Sequence, residues 1–194
     1  MLKEYFENVL CGPWKTAGKD VQYKIEGNVL YLAGSNSVYD WKTNFNFPAI
    51  PYKNMPIRWF AHRGYVKAWK EAREQILKEM LDNKVTTIVG YSFGGAIATL
   101  VHEDYVFNYG NNVRTYTFGA PRVLWMSHWI NRLRFTTLIR VKVNGDVVTN
   151  VPFAWMGFHH IGTLVEYGPK KAPWWTHHMP REYKYYLDNE YTHE

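Results

Sequence analysis

Cysteine is almost absent: Cys11 stands alone among 194 residues, so no disulfide can form within the chain and the fold must close on its core alone. Apolar runs are short as well, and none approaches the ~18–20 residues that a membrane-spanning helix needs. The opening Met1-Leu2-Lys3-Glu4-Tyr5-Phe6-Glu7 places acidic residues where an export leader would carry an unbroken apolar stretch. Together these absences lead to the expectation of a cytoplasmic protein. Internal repeats, low-complexity tracts and linker-like segments are missing too, which leaves one domain over residues 1–194 as the expected organisation.

Aromatic residues are abundant instead, at 18% with 9 Trp and 15 Tyr, and the net charge is +6. With 46% hydrophobic and 21% charged residues the balance is that of a folded globular chain rather than a disordered one. The positive charge is scattered, and its densest spots, such as Pro169-Lys170-Lys171, are short, so nucleic acid is not an expected partner. A basic surface rich in Trp and Tyr suits an anionic membrane surface better.

Periodicity organises the rest. Val21–Ile25 and Val29–Leu32 read as two strands joined by a tight turn at Glu26-Gly27-Asn28. Residues 35–60, rich in Asn, Pro and aromatics, show no clean period and read as a long irregular insertion. Apolar residues from Tyr65 to Leu81 recur at helical spacing. Val85–Val89 is a β-branched strand apolar enough to be buried on both faces, followed from Gly94 by a helix of small residues. Strands at Val113–Phe118, Leu138–Val143 and Ile161–Tyr167 and helices at Val123–Arg134 and Arg181–Tyr191 complete the pattern. Strands alternating with helices predict an α/β fold around a mostly parallel sheet flanked by helices.

Between the buried strand and the small-residue helix lies Gly90-Tyr91-Ser92-Phe93-Gly94, a G-x-S-x-G sequence in strand–turn–helix context. A sharp turn there lifts a serine hydroxyl above the sheet edge, where it can act as a nucleophile. Such a serine needs a base to take its proton and an acid to orient that base, in the chain order Ser, Asp or Glu, His. Of the aspartates downstream, Asp104 falls within the following helix and Asp188 leaves only His193 behind it. Asp146 follows Asn144-Gly145 just past the end of a strand, where ligands gather in open α/β sheets. The base then comes from His159, His160, His177 or His178, and spacing alone does not choose among them. The two His pairs have no Cys or carboxylate at ligand spacing, which argues against a metal.

These residues resemble the class 3 lipases, the fungal-lipase-like branch of the α/β-hydrolases. Leu32-Ala33-Gly34-Ser35 stands where the family has F-R-G-S/T, and Asp40 to Phe47 is similar to its W-x-x-N-L/F-x-F stretch. Ala61-His62-Arg63-Gly64-Tyr65 resembles H-x-G-F/Y, and Gly90 to Leu100 resembles G-H-S-L-G-G-A-x-A-x-L. Thr117 to Val123 matches T-F-G-x-P-R-V, and Val143 to Val148 matches V-N-x-x-D-x-V. The resemblance implies Ser92 as nucleophile, Asp146 as acid and His178 as base through an H-x-x-x-x-Y spacing to Tyr183, with His177 as the alternative. It assigns His62 and His160 to structural positions, and adds Ser35 to the backbone N–H of Phe93 as the oxyanion hole. Tyr91 replaces the family's histidine and Ala33 its arginine, departures expected to bear on substrate, as does Trp41. The segment 36–47 is expected to form an amphipathic lid. The implied function is a cofactor-free serine esterase or lipase acting on acylglycerols, phospholipids or simpler esters. The alternative is a non-catalytic scaffold of the same fold that binds a lipid or a protein partner.

Overall fold

The computed structural model describes residues 1–34, 49–52, 59–110, 113–125, 135–169 and 178–189. Ser35, Trp41, the segment 36–47 and His177 lie outside the described residues.

A seven-stranded sheet forms the centre. In chain order its strands are β1 (Lys15–Ala17), β2 (Val21–Glu26), β3 (Val29–Leu32), β6 (Thr87–Tyr91), β7 (Arg114–Phe118), β9 (Leu138–Val143) and β11 (Thr163–Tyr167). They lie side by side in that same order. The first three pair antiparallel, and every pairing from β3 onward is parallel. The β2–β3 hairpin closes on Gly27 and Asn28, with Glu26 opposite Val29, and Gly27 supplies the positive φ of +57° that such a short loop needs.

Alternation along each strand sends side chains to two separate cores. Leu30, Leu32, Ile88 and Leu138 join the core under helices α2 (Arg63–Asp82) and α3 (Phe93–Tyr109). Tyr31, Val89, Tyr91, Phe118, Val141 and Val143 face the other way, onto α1 (Leu2–Leu10) and α4 (Pro180–Asp188). Helix α1 has no counterpart in the sequence reading, although Phe6 and Val9, one turn apart, are both buried. Its Phe6 ring meets the rings of Tyr91, Phe118 and Tyr183 at centroid distances of 5.6, 5.1 and 5.5 Å.

Two expectations are corrected. Within the stretch read as irregular, β4 (Ala49–Tyr52) and β5 (Trp59–His62) pair antiparallel. Pro51 sits in β4, the edge strand of its sheet, a place where proline is tolerated. Where a helix was expected from Val123, Leu124–Trp125 is instead strand β8, held between β5 and β10 (Phe158–His159). Apolar periodicity cannot report such pairings, because the strands are only two to four residues long and the partners of β8 lie tens of residues away in sequence. These four strands make a second, antiparallel sheet in the order β10-β8-β5-β4.

The C-terminal ends of β3, β6, β7 and β9 open on one edge of the central sheet, so Gly34, Ser92, Gly119 and Asp146 emerge there together. Open α/β sheets bind their ligands at such an edge.

Candidate active site

The turn from β6 into α3 holds Ser92 at φ +53° and ψ −119°, a conformation that costs a non-glycine residue on the order of 1–3 kcal/mol. The surroundings enforce it. Ser92 N–H donates to the Phe118 carbonyl at 2.9 Å, and the Ser92 carbonyl accepts from the N–H groups of Gly95 and Ala96 at 2.9 and 3.2 Å. Gly94 lets the turn lie directly on β3, since a Cβ there would overlap the carbonyl oxygens of Leu32 and Ala33. That close approach is the physical reason for a glycine two residues after the serine.

Ser92 Oγ lies 2.9 Å from His178 Nε2. On the far side of the imidazole, His178 Nδ1 is 3.1 and 3.0 Å from the two carboxylate oxygens of Asp146. A carboxylate only accepts, so Nδ1 carries the proton and Nε2 turns its lone pair toward the serine hydroxyl. Asp146 is fully buried, and its charge is met by two more donors. Val148 N–H reaches Oδ1 at 2.9 Å and the Tyr183 hydroxyl reaches Oδ2 at 2.5 Å. Burial, reinforced by the Asp146 charge, holds the Tyr183 phenol well above its ordinary pKa, so it stays a donor. Gly119, after β7, leaves room for the whole group: a Cβ there would lie 3.0 Å from Asp146 Oδ2, 3.0 Å from the Tyr183 hydroxyl and 3.2 Å from His178 Cε1.

The N–H of Phe93, the first residue of α3, has no acceptor within the helix and stands at its positive end. The arrangement can therefore draw a proton from the Ser92 hydroxyl and offer a donor to negative charge developing beside it.

Tyr91, expected to bear on substrate, is instead only 8% exposed. Alternation along β6 turns it down onto the α1/α4 face, where its ring lies against the His178 imidazole and its hydroxyl donates to the His178 carbonyl. The sequence signal for this was its two-residue offset from Val89, which puts both on one face.

The remaining candidates have other work. His62 caps α2, its Nδ1 accepting from Gly64 N–H at 3.2 Å, and stacks on Tyr65. His160 donates from Nε2 to the Thr149 carbonyl at 2.6 Å, and Thr149 in turn donates from Oγ1 to the Asp146 carbonyl at 2.8 Å, bracing the turn after β9. Burial first, then the nearby Arg140 charge, pushes its pKa down to about 3, so it is neutral there. His159 is exposed, and the buried His102 hydrogen-bonds with Thr115 Oγ1 at 2.8 Å and stacks on Phe135.

Asp104 is buried in α3 with Arg73 Nε and Nη2 at 2.6 and 2.8 Å and Trp69 Nε1 at 3.0 Å, joining α2 to α3. Asp104→Ala is expected to cost about 3 kcal/mol, the low end for breaking a buried pair because the Arg73 side chain keeps some access to water. That corresponds to a fall in Tm of roughly 6–12 °C, with kcat unchanged, checked by calorimetry and an ester assay on one preparation.

Comparison with known proteins shows the family. The family model described as Lipase (class 3) matches residues 29–156, a span that includes Ser92 and Asp146 and stops short of His178. The chain is 33% identical over 140 residues to secreted mono- and diacylglycerol lipase 1 of Fusarium solani, across 68% of this chain and 41% of that protein. It is 28% identical over 145 residues to secreted mono- and diacylglycerol lipase A of Penicillium cyclopium, across 69% and 45%. The chain thus spans less than half the length of the curated relatives it matches. The triacylglyceride lipase of Rhizomucor miehei shares the fold, with a TM-score of 0.65 at 23% identity over 82% of this chain and 66% of that one.

The cytoplasmic location expected from the sequence is overturned, because these relatives are named as secreted lipases. A lone cysteine was weak ground for it: a core that closes without disulfides is equally serviceable in an oxidising compartment. A central sheet that is mostly parallel and flanked by helices, the match over residues 29–156 and the relatives found agree: the chain belongs to the class 3 lipase family, with an α/β-hydrolase-like fold.

Proposed function

We propose that this protein is a serine ester hydrolase that cleaves acylglycerols, with Ser92, His178 and Asp146 as its catalytic triad. The observation that carries the reading is the unbroken path from Ser92 Oγ to His178 Nε2 at 2.9 Å and from Nδ1 to Asp146 at 3.0 Å. In the first half-reaction Ser92 Oγ attacks the ester carbonyl carbon while Nε2 takes the hydroxyl proton. Asp146 holds the imidazole in the Nδ1–H tautomer and balances the imidazolium, and Tyr183 and Val148 hold Asp146. The Phe93 N–H donates to the oxyanion of the tetrahedral intermediate, with Ser35 the second donor that the family resemblance implies. The imidazolium then protonates the departing alcohol, leaving an acyl-enzyme. Water, deprotonated by the same Nε2, releases the fatty acid and restores Ser92.

The relatives named as secreted mono- and diacylglycerol lipases favour partial glycerides as substrates, and favour work outside the cell. Purified protein supplied separately with emulsified monoacylglycerol, diacylglycerol and phospholipid, with fatty acid release followed by titration, tests this. Release from the first two is expected. A folded protein that releases acid from no ester, soluble or emulsified, would refute the enzymatic reading and leave the lipid-binding scaffold.

A further inference from the structure

The base His178 sits one residue ahead of Met179, the N-cap of α4, outside the helix's own hydrogen-bonded turns. Its orientation therefore depends on what grips it from the sheet. One grip is Asp146 at Nδ1. Another is Tyr91, whose ring lies nearly parallel to the imidazole, 13° between planes and 5.4 Å between centroids, and whose hydroxyl donates to the His178 carbonyl. Tyr91 is itself immobilised. The Phe6 ring meets it edge-on at 5.6 Å and 82°, the Tyr183 ring at 6.1 Å and 74°, and a Cβ at Gly34 would lie only 3.0 Å from its Cδ1.

We infer that Tyr91 is a positioning residue for His178: its hydroxyl tethers the backbone and its ring face sets the plane of the imidazole, so that Nε2 points at Ser92. The inference rests on the reading of His178 as the base. Two physical effects follow from the geometry. A parallel aromatic face restricts rotation of the imidazole about χ1 and χ2, keeping Nε2 within reach of the serine proton. When that proton moves from Ser92 Oγ to Nε2, the imidazole becomes a cation with its centroid 5.4 Å from that of the Tyr91 ring, within range of its π system, an attraction absent before transfer. Both effects act on the transition state more than on substrate binding, so they belong in kcat rather than KM. Burial keeps the phenol protonated, its pKa raised by desolvation and then by Asp146, so the tether persists throughout turnover.

The test compares Tyr91→Phe, which keeps the ring and loses the tether, with Tyr91→Leu, which loses both, and with His178→Ala, on a soluble short-chain ester. Urea unfolding of each variant is followed alongside. The expected result is a kcat about 5–10-fold below wild type for the Phe variant and roughly 100-fold below for the Leu variant, the loss typical of a misplaced catalytic group. KM stays within about twofold in both. Should the Leu variant fail to fold, the Phe variant decides by the same criterion. Wild-type kcat in the folded variants, with only the unfolding midpoint lowered and His178→Ala inactive, would overturn the positioning role and leave the base intact. Wild-type kcat in His178→Ala would instead overturn the base assignment, and the role of Tyr91 with it.

Discussion

Ser92→Ala is expected to lower kcat for ester hydrolysis by 10⁴-fold or more while leaving the fold unchanged. The loss is chemical: without Oγ there is no acyl-enzyme, and what remains is the oxyanion donor and whatever binding aligns the substrate. The fold is indifferent for a structural reason. The Ser92 side chain makes its hydrogen bond with His178, and the turn is held by backbone bonds to the Phe118 carbonyl and from the Gly95 and Ala96 N–H groups that alanine keeps. Removing one oxygen opens no apolar void. Purified variant assayed on a p-nitrophenyl ester, with circular dichroism as the control, measures both. Hydrolysis at the wild-type rate would place the nucleophile elsewhere.

His178→Ala is expected to match that loss, and the double variant with Ser92→Ala to be no worse than either alone, because residues that act as one unit do not contribute additively. Asp146→Asn also falls by several orders of magnitude: an amide offers an N–H toward Nδ1 and favours the wrong tautomer. By contrast His160→Ala leaves kcat within severalfold, since His160 only braces the turn below Asp146. His177→Ala is the informative companion, and a loss equal to that of His178→Ala would move the base one residue upstream.

The sequence made some of this molecule legible and hid other parts, for reasons that can be named. Local signals carried well. The hairpin at Gly27-Asn28, the helix over Arg63–Asp82 and the strand Leu138–Val143 depend on turn chemistry or on a period that a short window contains. What failed was nonlocal. The antiparallel sheet built from Ala49–Tyr52, Trp59–His62, Leu124–Trp125 and Phe158–His159 gathers four segments that show no sustained alternation, so they read as loop or helix. Helix α1 carries little signal in the sequence because its nine residues bury only Phe6 and Val9, and Phe6 needs Tyr91 and Tyr183 to be buried against.

The site divides the same way. The Ser92 turn is a contiguous pattern whose glycines are fixed by close approach to β3. Among the aspartates of the described residues, only Asp146 follows a strand at the edge where Ser92 emerges, and topology could indicate that much. The choice of histidine could not come from spacing, because the path from Asp146 back to His178 crosses 32 residues and depends on how α4 docks. The expectation that Tyr91 bears on substrate rests on its standing where the family has a histidine, whereas alternation along β6 puts it with Val89 on the face beneath the histidine.

The most direct test of Ser92 as the activated nucleophile is covalent labelling. Folded protein is treated with an organophosphonate, digested, and the modified peptide is identified by mass spectrometry. Stoichiometric phosphonylation of Ser92, abolished in Ser92→Ala and strongly slowed in His178→Ala, is the predicted result. Modification of a different residue, or no modification of Ser92 in a preparation that hydrolyses esters, would contradict it.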